Sequence, residues 1–214
     1  MKNRIISGKM DGMEYDEFVS DLLLRSEELK LSNEHEKSIE LLQKILVHEP
    51  DCFEALEEIG DNFLSMKQPE KAEKALRQAI KINPKSANAH YLLGFLFSQE
   101  QKWHASVEAL ETADNLSPNH PEILRCLGWS FYNQNRRSQQ GVALLERSCS
   151  LSPNDPNILC DLGVCYMNSS QFRLANDLFE KVISMNPNSE QADECRRFLR
   201  VLNLRKKRDG STER

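Results

Sequence analysis

The side chains able to do chemistry are six cysteines, five histidines and two blocks of charge. Cys52, Cys126, Cys149, Cys160, Cys165 and Cys195 contain no Cys-x-x-Cys pair, and no cluster of histidines completes a set of zinc ligands. Cys160 and Cys165 stand five residues apart, which on a helix points them in different directions. The thiols therefore read as reduced side chains that fill small spaces, as free cysteine commonly does. The histidines are scattered; His90 holds a helix-packing place and reads as partly buried, not as a base. Neither a Gly-rich phosphate loop nor a Gly-x-Ser-x-Gly elbow occurs. The motifs point away from an enzyme, and they imply no cofactor.

Charge is more informative. From Asp11 to Asp61 there are 16 acidic residues against Arg25, Lys30, Lys37 and Lys44, a net of −12. Residues 196–208 carry +7 with no acid among them, ending in Arg205-Lys206-Lys207-Arg208. The overall charge of −5 conceals these opposite ends. A basic end can contact nucleic acid, an anionic membrane or an import receptor. The plainer reading is a solvated terminus, since Phe198 is the one aromatic residue interleaved there for base stacking. No apolar run reaches the 18 residues of a membrane span. The start, Met-Lys-Asn-Arg-Ile-Ile-Ser-Gly, lacks the apolar core of a secretion signal, so the cytoplasm is the expected location.

The elements that carry these groups repeat. Pro50, Pro84, Pro118, Pro153 and Pro187 are spaced by 34, 34, 35 and 34 residues. Gly60, Gly94, Gly128 and Gly163 are spaced by 34, 34 and 35. Both series gain their extra residue in the same unit, so one insertion explains both. Within each unit apolar residues recur at i, i+3 and i+7, one face of a helix. Gly or Ser in the first helix, and Ala, Ser or Gly early in the second, remove bulk where two helices approach closely. A helical glycine costs about 1 kcal/mol against alanine, and close packing is the expected compensation. The prolines cannot extend the preceding helix, while Ser86, Asp155 and Ser189 can cap the next one. Pro121 and Pro156 then fall at the first helical position, where a missing N–H is harmless.

Leu56-x2-Ile59-Gly60-x2-Phe63 leads to Ala72-x3-Leu76 and Pro84, and the pattern returns as His90, Leu93, Gly94, Phe97, Ser106, Leu110 and Pro118. It returns again from Leu124 to Pro153 and from Leu159 to Pro187. A weaker first copy has Leu22, Ser26, Leu29, Ser38, Leu42 and Pro50, with Arg25 where an apolar residue is usual. Over about residues 19–189 the sequence resembles a tetratricopeptide repeat (TPR) protein. The resemblance implies an all-α, right-handed α-solenoid of five helical hairpins, at 19–52, 53–86, 87–120, 121–155 and 156–189. After them, Ala192, Cys195, Leu199 and Leu202 form an apolar stripe opposite Arg196, Arg197 and Arg200, the pattern of a capping helix over 190–204. A mobile lead-in over 1–18 and a basic disordered tail over 205–214 are expected at the two ends.

The resemblance further implies a non-catalytic module that holds a protein or peptide partner in a groove lined by the first helix of each repeat. At 100° per residue, the face opposite the packing residues is lined by Ser20, Leu23 and Glu27, then by Glu54, Glu57, Asp61 and Leu64. Tyr91, Phe95 and Ser98 follow, then Arg125, Trp129 and Tyr132, and last Cys160, Val164 and Met167. Family members that grip the acidic tail of heat-shock chaperones clamp a carboxylate with Lys and Asn on this face. Here the matching places hold Leu23 with Glu27 and Glu57 with Asp61, so the clamp is absent and its sign reversed. The expected ligand is a protein segment with large apolar side chains followed by Lys or Arg. The alternative is association with nucleic acid or another anionic surface through the basic end.

Overall fold

Small residues at fixed intervals let helices pair, and the computed structural model shows the pairs. It describes the backbone of residues 12–135 and 138–209, and the side chains of 18–135 and 138–204. The described residues form eleven helices: α1 (Gly12–Leu31), α2 (His35–His48), α3 (Phe53–Ser65), α4 (Pro69–Ile82), α5 (Ala87–Gln99), α6 (Trp103–Leu116), α7 (Pro121–Gln134), α8 (Gln139–Leu151), α9 (Pro156–Asn168), α10 (Phe172–Met185) and α11 (Glu190–Asp209). Taken two by two, the first ten are the five expected hairpins, and α11 follows them. Helix α1 already begins at Gly12, inside the stretch expected to be a mobile lead-in. Helix α11 continues to Asp209, past the 204 limit expected for the cap and into the stretch expected to be disordered. The apolar stripe ends at Leu202, but the good helix formers Leu204, Arg205, Lys206, Lys207 and Arg208 carry the helix on. Residues 1–11 and 210–214, and the side chains of Arg205 to Arg208, lie outside the described residues.

The chain divides into two compact units, the first ending at Leu93 and the second starting at Gly94, a division that the even repeat spacing did not announce. Each helix of a repeat array touches only near neighbours, so no single core claims every element. In the first unit Leu22, Leu42, Ile45, Cys52, Ala55, Ile59 and Ala75 form one buried cluster. In the second, Leu159, Cys160, Met167, Phe179, Val182, Cys195 and Leu202 form another, so α11 packs as a cap on α9 and α10. Phe198 of α11 stacks on Phe179 with ring centroids 5.3 Å apart.

Close approach is where the small residues stand. A Cβ on Gly128 would lie 2.8 Å from the Gly141 carbonyl oxygen, and one on Gly141 would lie 2.7 Å from that of Gly128. Ser106 takes the place of Gly141 one repeat earlier. Its hydroxyl donates to the Gly94 carbonyl at 2.7 Å and meets the buried Ser130 hydroxyl at 2.8 Å. In the first unit Ser38 donates to Ser26 O, and the Asn62 amide donates to Ser38 Oγ, an equivalent network.

Helix ends use both local chemistry and strain. Asp155 accepts hydrogen bonds from the N–H groups of Asn157 and Ile158 ahead of Pro156, and Ser86 and Ser189 accept from Ala89 and Ala192, as expected. The turns inside the hairpins hold Asn33, Lys67, Gln101 and Ser170 at φ between 56° and 62°, the left-handed region. At Lys67, for example, its own N–H donates to Leu64 O and the N–H of Gln68 to Phe63 O, closing α3 in a Schellman motif. Glycine is the usual residue there, so these turns carried no signal in the sequence.

Candidate partner-binding faces

The first helices of successive repeats turn out to be linked by side chains on the face expected to line the groove. In the first unit Lys30 of α1 donates to Glu58 and Asp61 of α3 at 2.7 and 2.8 Å. Burial pulls the Lys30 pKa down, but the hydrogen bonds to Asp61 and Glu58 outweigh it and leave the ammonium more basic than usual. Glu57 is buried, accepting from the Ser86 hydroxyl and, at 2.9 Å, from the Asn88 amide. In the second unit Arg125 of α7 donates to Glu122 and, at 2.8 Å, to Asp161 of α9. Burial pushes the Asp161 carboxyl up to about 6 against the opposing pull of Arg125. One joint further on, Cys160 of α9 meets Cys195 of α11 with the two sulfurs 2.9 Å apart.

Several residues expected to face a partner are therefore covered or engaged within the chain. Glu57, Tyr132, Cys160 and Met167 are buried, Asp61 and Arg125 are held in ion pairs, and Val164 packs on the cluster shared with α11. The reason is geometric. A helix has one face for its own hairpin partner, but the adjoining face is shared with the first helix of the next repeat. Tyr91, Phe95 and Trp129 are half-buried, and Trp129 stacks on Tyr132 with centroids 6.1 Å apart. Glu54 is exposed. Asp161, Lys30, Ser86, Asn88 and Cys195 escaped the reading by face; the signal for them was a spacing of roughly one repeat between complementary groups, and for Glu122 an i, i+3 pair with Arg125.

One open cleft of the first unit, of about 360 Å³, is lined by Ser20, Leu23, Leu24, Glu27, Glu54, Glu57 and Glu58. Leu24 is 59% exposed beside it. Among the described residues no cation pairs with Glu27 or Glu54, whereas Glu58 already holds Lys30. A second cleft, of about 420 Å³, lies in the other unit between Tyr132, Val142, Ala143, Glu146 and Ser169. Among the described residues no group of His, Cys, Asp and Glu is arranged to hold a metal ion, and no helix is long and apolar enough to cross a membrane.

Repeated two-helix units joined first helix to first helix define a protein-interaction scaffold of the helical-repeat class. The chain is a tetratricopeptide repeat protein: one family profile, for the TPR repeat, matches residues 60–101, and another, for the tetratricopeptide repeat, matches 156–189. No curated protein sequence matches the chain. Among solved structures it is similar to Pseudomonas aeruginosa pilF, at 14% identity and TM-score 0.71, over 94% of this chain and all of that one. A thermophilic TPR protein of Thermus thermophilus matches at 15% identity and TM-score 0.71, over 86% of this chain and 98% of that one. YrrB, a TPR protein with an unusual peptide-binding site, matches at 15% identity and TM-score 0.60, over 86% and 97%. At these identities the similarity shows the fold.

Proposed function

We propose that the chain is a non-catalytic adaptor that holds a segment of a partner protein against the first helices of its repeats. The basic and apolar segment expected from the sequence fits the first-unit cleft. The observation that carries the reading is the pair Glu27 and Glu54, two exposed carboxylates beside Leu23 and Leu24 in one concave surface. Carboxylates without cations of their own attract Lys or Arg, and an exposed apolar strip takes aliphatic or aromatic side chains. That YrrB has a peptide-binding site supports the same use of this fold. Tyr91, Phe95 and Trp129 remain candidates for apolar contacts within their own units.

The test is a titration of the full chain with labelled peptides of about 15 residues, a length on the order of one interface helix, followed by fluorescence anisotropy. One set combines Leu or Phe with Lys or Arg; a control set replaces the cations with Glu. The first set is expected to bind and the control is not. Glu27→Lys with Glu54→Lys should weaken binding at least tenfold, about 1.4 kcal/mol, and the loss should shrink as salt is added. Equal affinity for both sets, or no effect of the double variant, overturns the assignment of this cleft.

A further inference from the structure

We infer that Cys160 and Cys195 are a site of reversible covalent modification: a peroxide converts them to a disulfide that staples the capping helix to the fifth repeat. This rests on a different surface from the proposed partner cleft and stands or falls independently of it.

Three observations converge. The two sulfurs are 2.9 Å apart, although the residues are 35 positions apart in the chain and belong to different helices. A disulfide needs about 2.05 Å between sulfurs, so roughly 1 Å of closure makes the bond. Second, the pair occupies a joint that carries a specific cross-link elsewhere in the same unit. Arg125 bonds Asp161 across 36 positions, α7 to α9; Cys160 meets Cys195 across 35, α9 to α11. Residue 160 is the repeat equivalent of 125, and 195 that of 161. The last joint thus exchanges an ion pair for a dithiol. Third, among the described residues α11 packs on α9 and α10 through one stripe, Ala192, Cys195 and Leu202, while Val201 and Leu204 stay exposed, so it is able to open locally. Cys195 is fully buried while α11 is seated, and brief opening admits a small oxidant. Either thiol can donate to the other sulfur and so stabilise a thiolate at the pair, and Cys195, on the helix that opens, is the one that meets the oxidant.

The chemistry balances with one peroxide. The Cys195 thiolate attacks an oxygen of hydrogen peroxide, the O–O bond breaks, and hydroxide leaves as a sulfenic acid forms. The Cys160 sulfur then attacks that sulfur, the S–O bond breaks, and the released hydroxide takes the Cys160 proton as water. Two thiols lose two electrons, and one hydrogen peroxide becomes two waters. A thiol reductant reverses the bond by exchange. Because Cys160, Met167, Cys195 and Leu202 share one core cluster, the staple holds the cap over the first helix of the fifth repeat.

The experiment treats the full chain with hydrogen peroxide, blocks remaining thiols by alkylation, and maps peptides by mass spectrometry without reduction. Expected are a linked peptide pair containing Cys160 and Cys195, a loss of about 2 Da, and four alkylatable thiols in the unfolded protein in place of six. Closing a loop of this length should raise the melting temperature by roughly 5 °C or more, and dithiothreitol should reverse the rise. In Cys160→Ser, dimedone should trap Cys195 as the sulfenic acid. If that variant fails to fold, the wild-type peptide map decides alone. Oxidation of the half-buried Cys149 with Cys160 and Cys195 left alkylatable overturns the inference, as does a bridge between any other pair.

Discussion

Gly141→Ala separates helix propensity from helix packing. Alanine is favoured over glycine in a helix by about 1 kcal/mol, so propensity alone makes the variant more stable. The structure predicts the opposite. The new Cβ would stand 2.7 Å from the Gly128 carbonyl oxygen, 2.8 Å from the Tyr132 nitrogen and 3.1 Å from the Tyr132 Cα, all backbone atoms of α7. A side-chain obstacle can change rotamer, but backbone held by intrahelical hydrogen bonds moves only with its helix. Relief therefore requires α7 and α8 to separate, opening gaps around Tyr132 and Leu145, which share a cluster. Overpacking of this kind costs about 1–3 kcal/mol, and rigid obstacles place the cost at the upper end. Set against the propensity gain, the net loss is about 2 kcal/mol. For a chain of this size that lowers the melting temperature by roughly 4–8 °C, read by circular dichroism at 222 nm and checked by urea unfolding. A midpoint equal to or above that of the wild type would refute the close-approach reasoning.

The strained turns give a prediction of opposite sign: Lys67→Gly relieves a left-handed side-chain-bearing residue and should stabilise by about 1 kcal/mol, measured as a higher urea midpoint. Ser106→Ala strips the buried Ser130 hydroxyl and the Gly94 carbonyl of a partner and should cost about 1–3 kcal/mol; an unchanged midpoint would mean that water replaces the lost hydroxyl. Asp161 should titrate near pH 6 by carboxyl carbon NMR, well above the ordinary 3.8. With its folded pKa raised, its contribution to stability is complete below the ordinary value and is lost as pH rises through 6, a change on the order of 3 kcal/mol. Asp161→Asn should flatten that slope, and a midpoint at or below the ordinary value would show that Arg125 outweighs burial.

Periodicity made the hairpins legible before any coordinates. The proline and glycine series, the i, i+3, i+7 stripes and the caps at Ser86, Asp155 and Ser189 are local or strictly repeated features, and each helix obeys them one at a time. The capping helix was legible for the same reason: Ala192, Cys195 and Leu202 lie on one stripe, and all are buried. Its far end was not, because Arg205 to Asp209 need only helix propensity to continue a helix already nucleated by packing. The hairpin turns were silent as well, since Lys67, Gln101 and Ser170 adopt a conformation that the sequence associates with glycine.

The candidate faces divide along the same line. Helical angle put Glu54, Leu23 and Glu27 on one face, and the three line a single cleft built from neighbouring helices of one unit. Angle could not say that Glu57 would be covered by Ser86 and Asn88, that Asp61 would be drawn to Lys30, or that Cys160 would lie under Cys195. Those partners are about one repeat away in sequence, and which face meets the next helix depends on how far each hairpin turns relative to the one before it. A 3.6-residue period fixes the direction of a side chain from its own axis. Only the stacking of hairpins decides whether another axis lies in that direction.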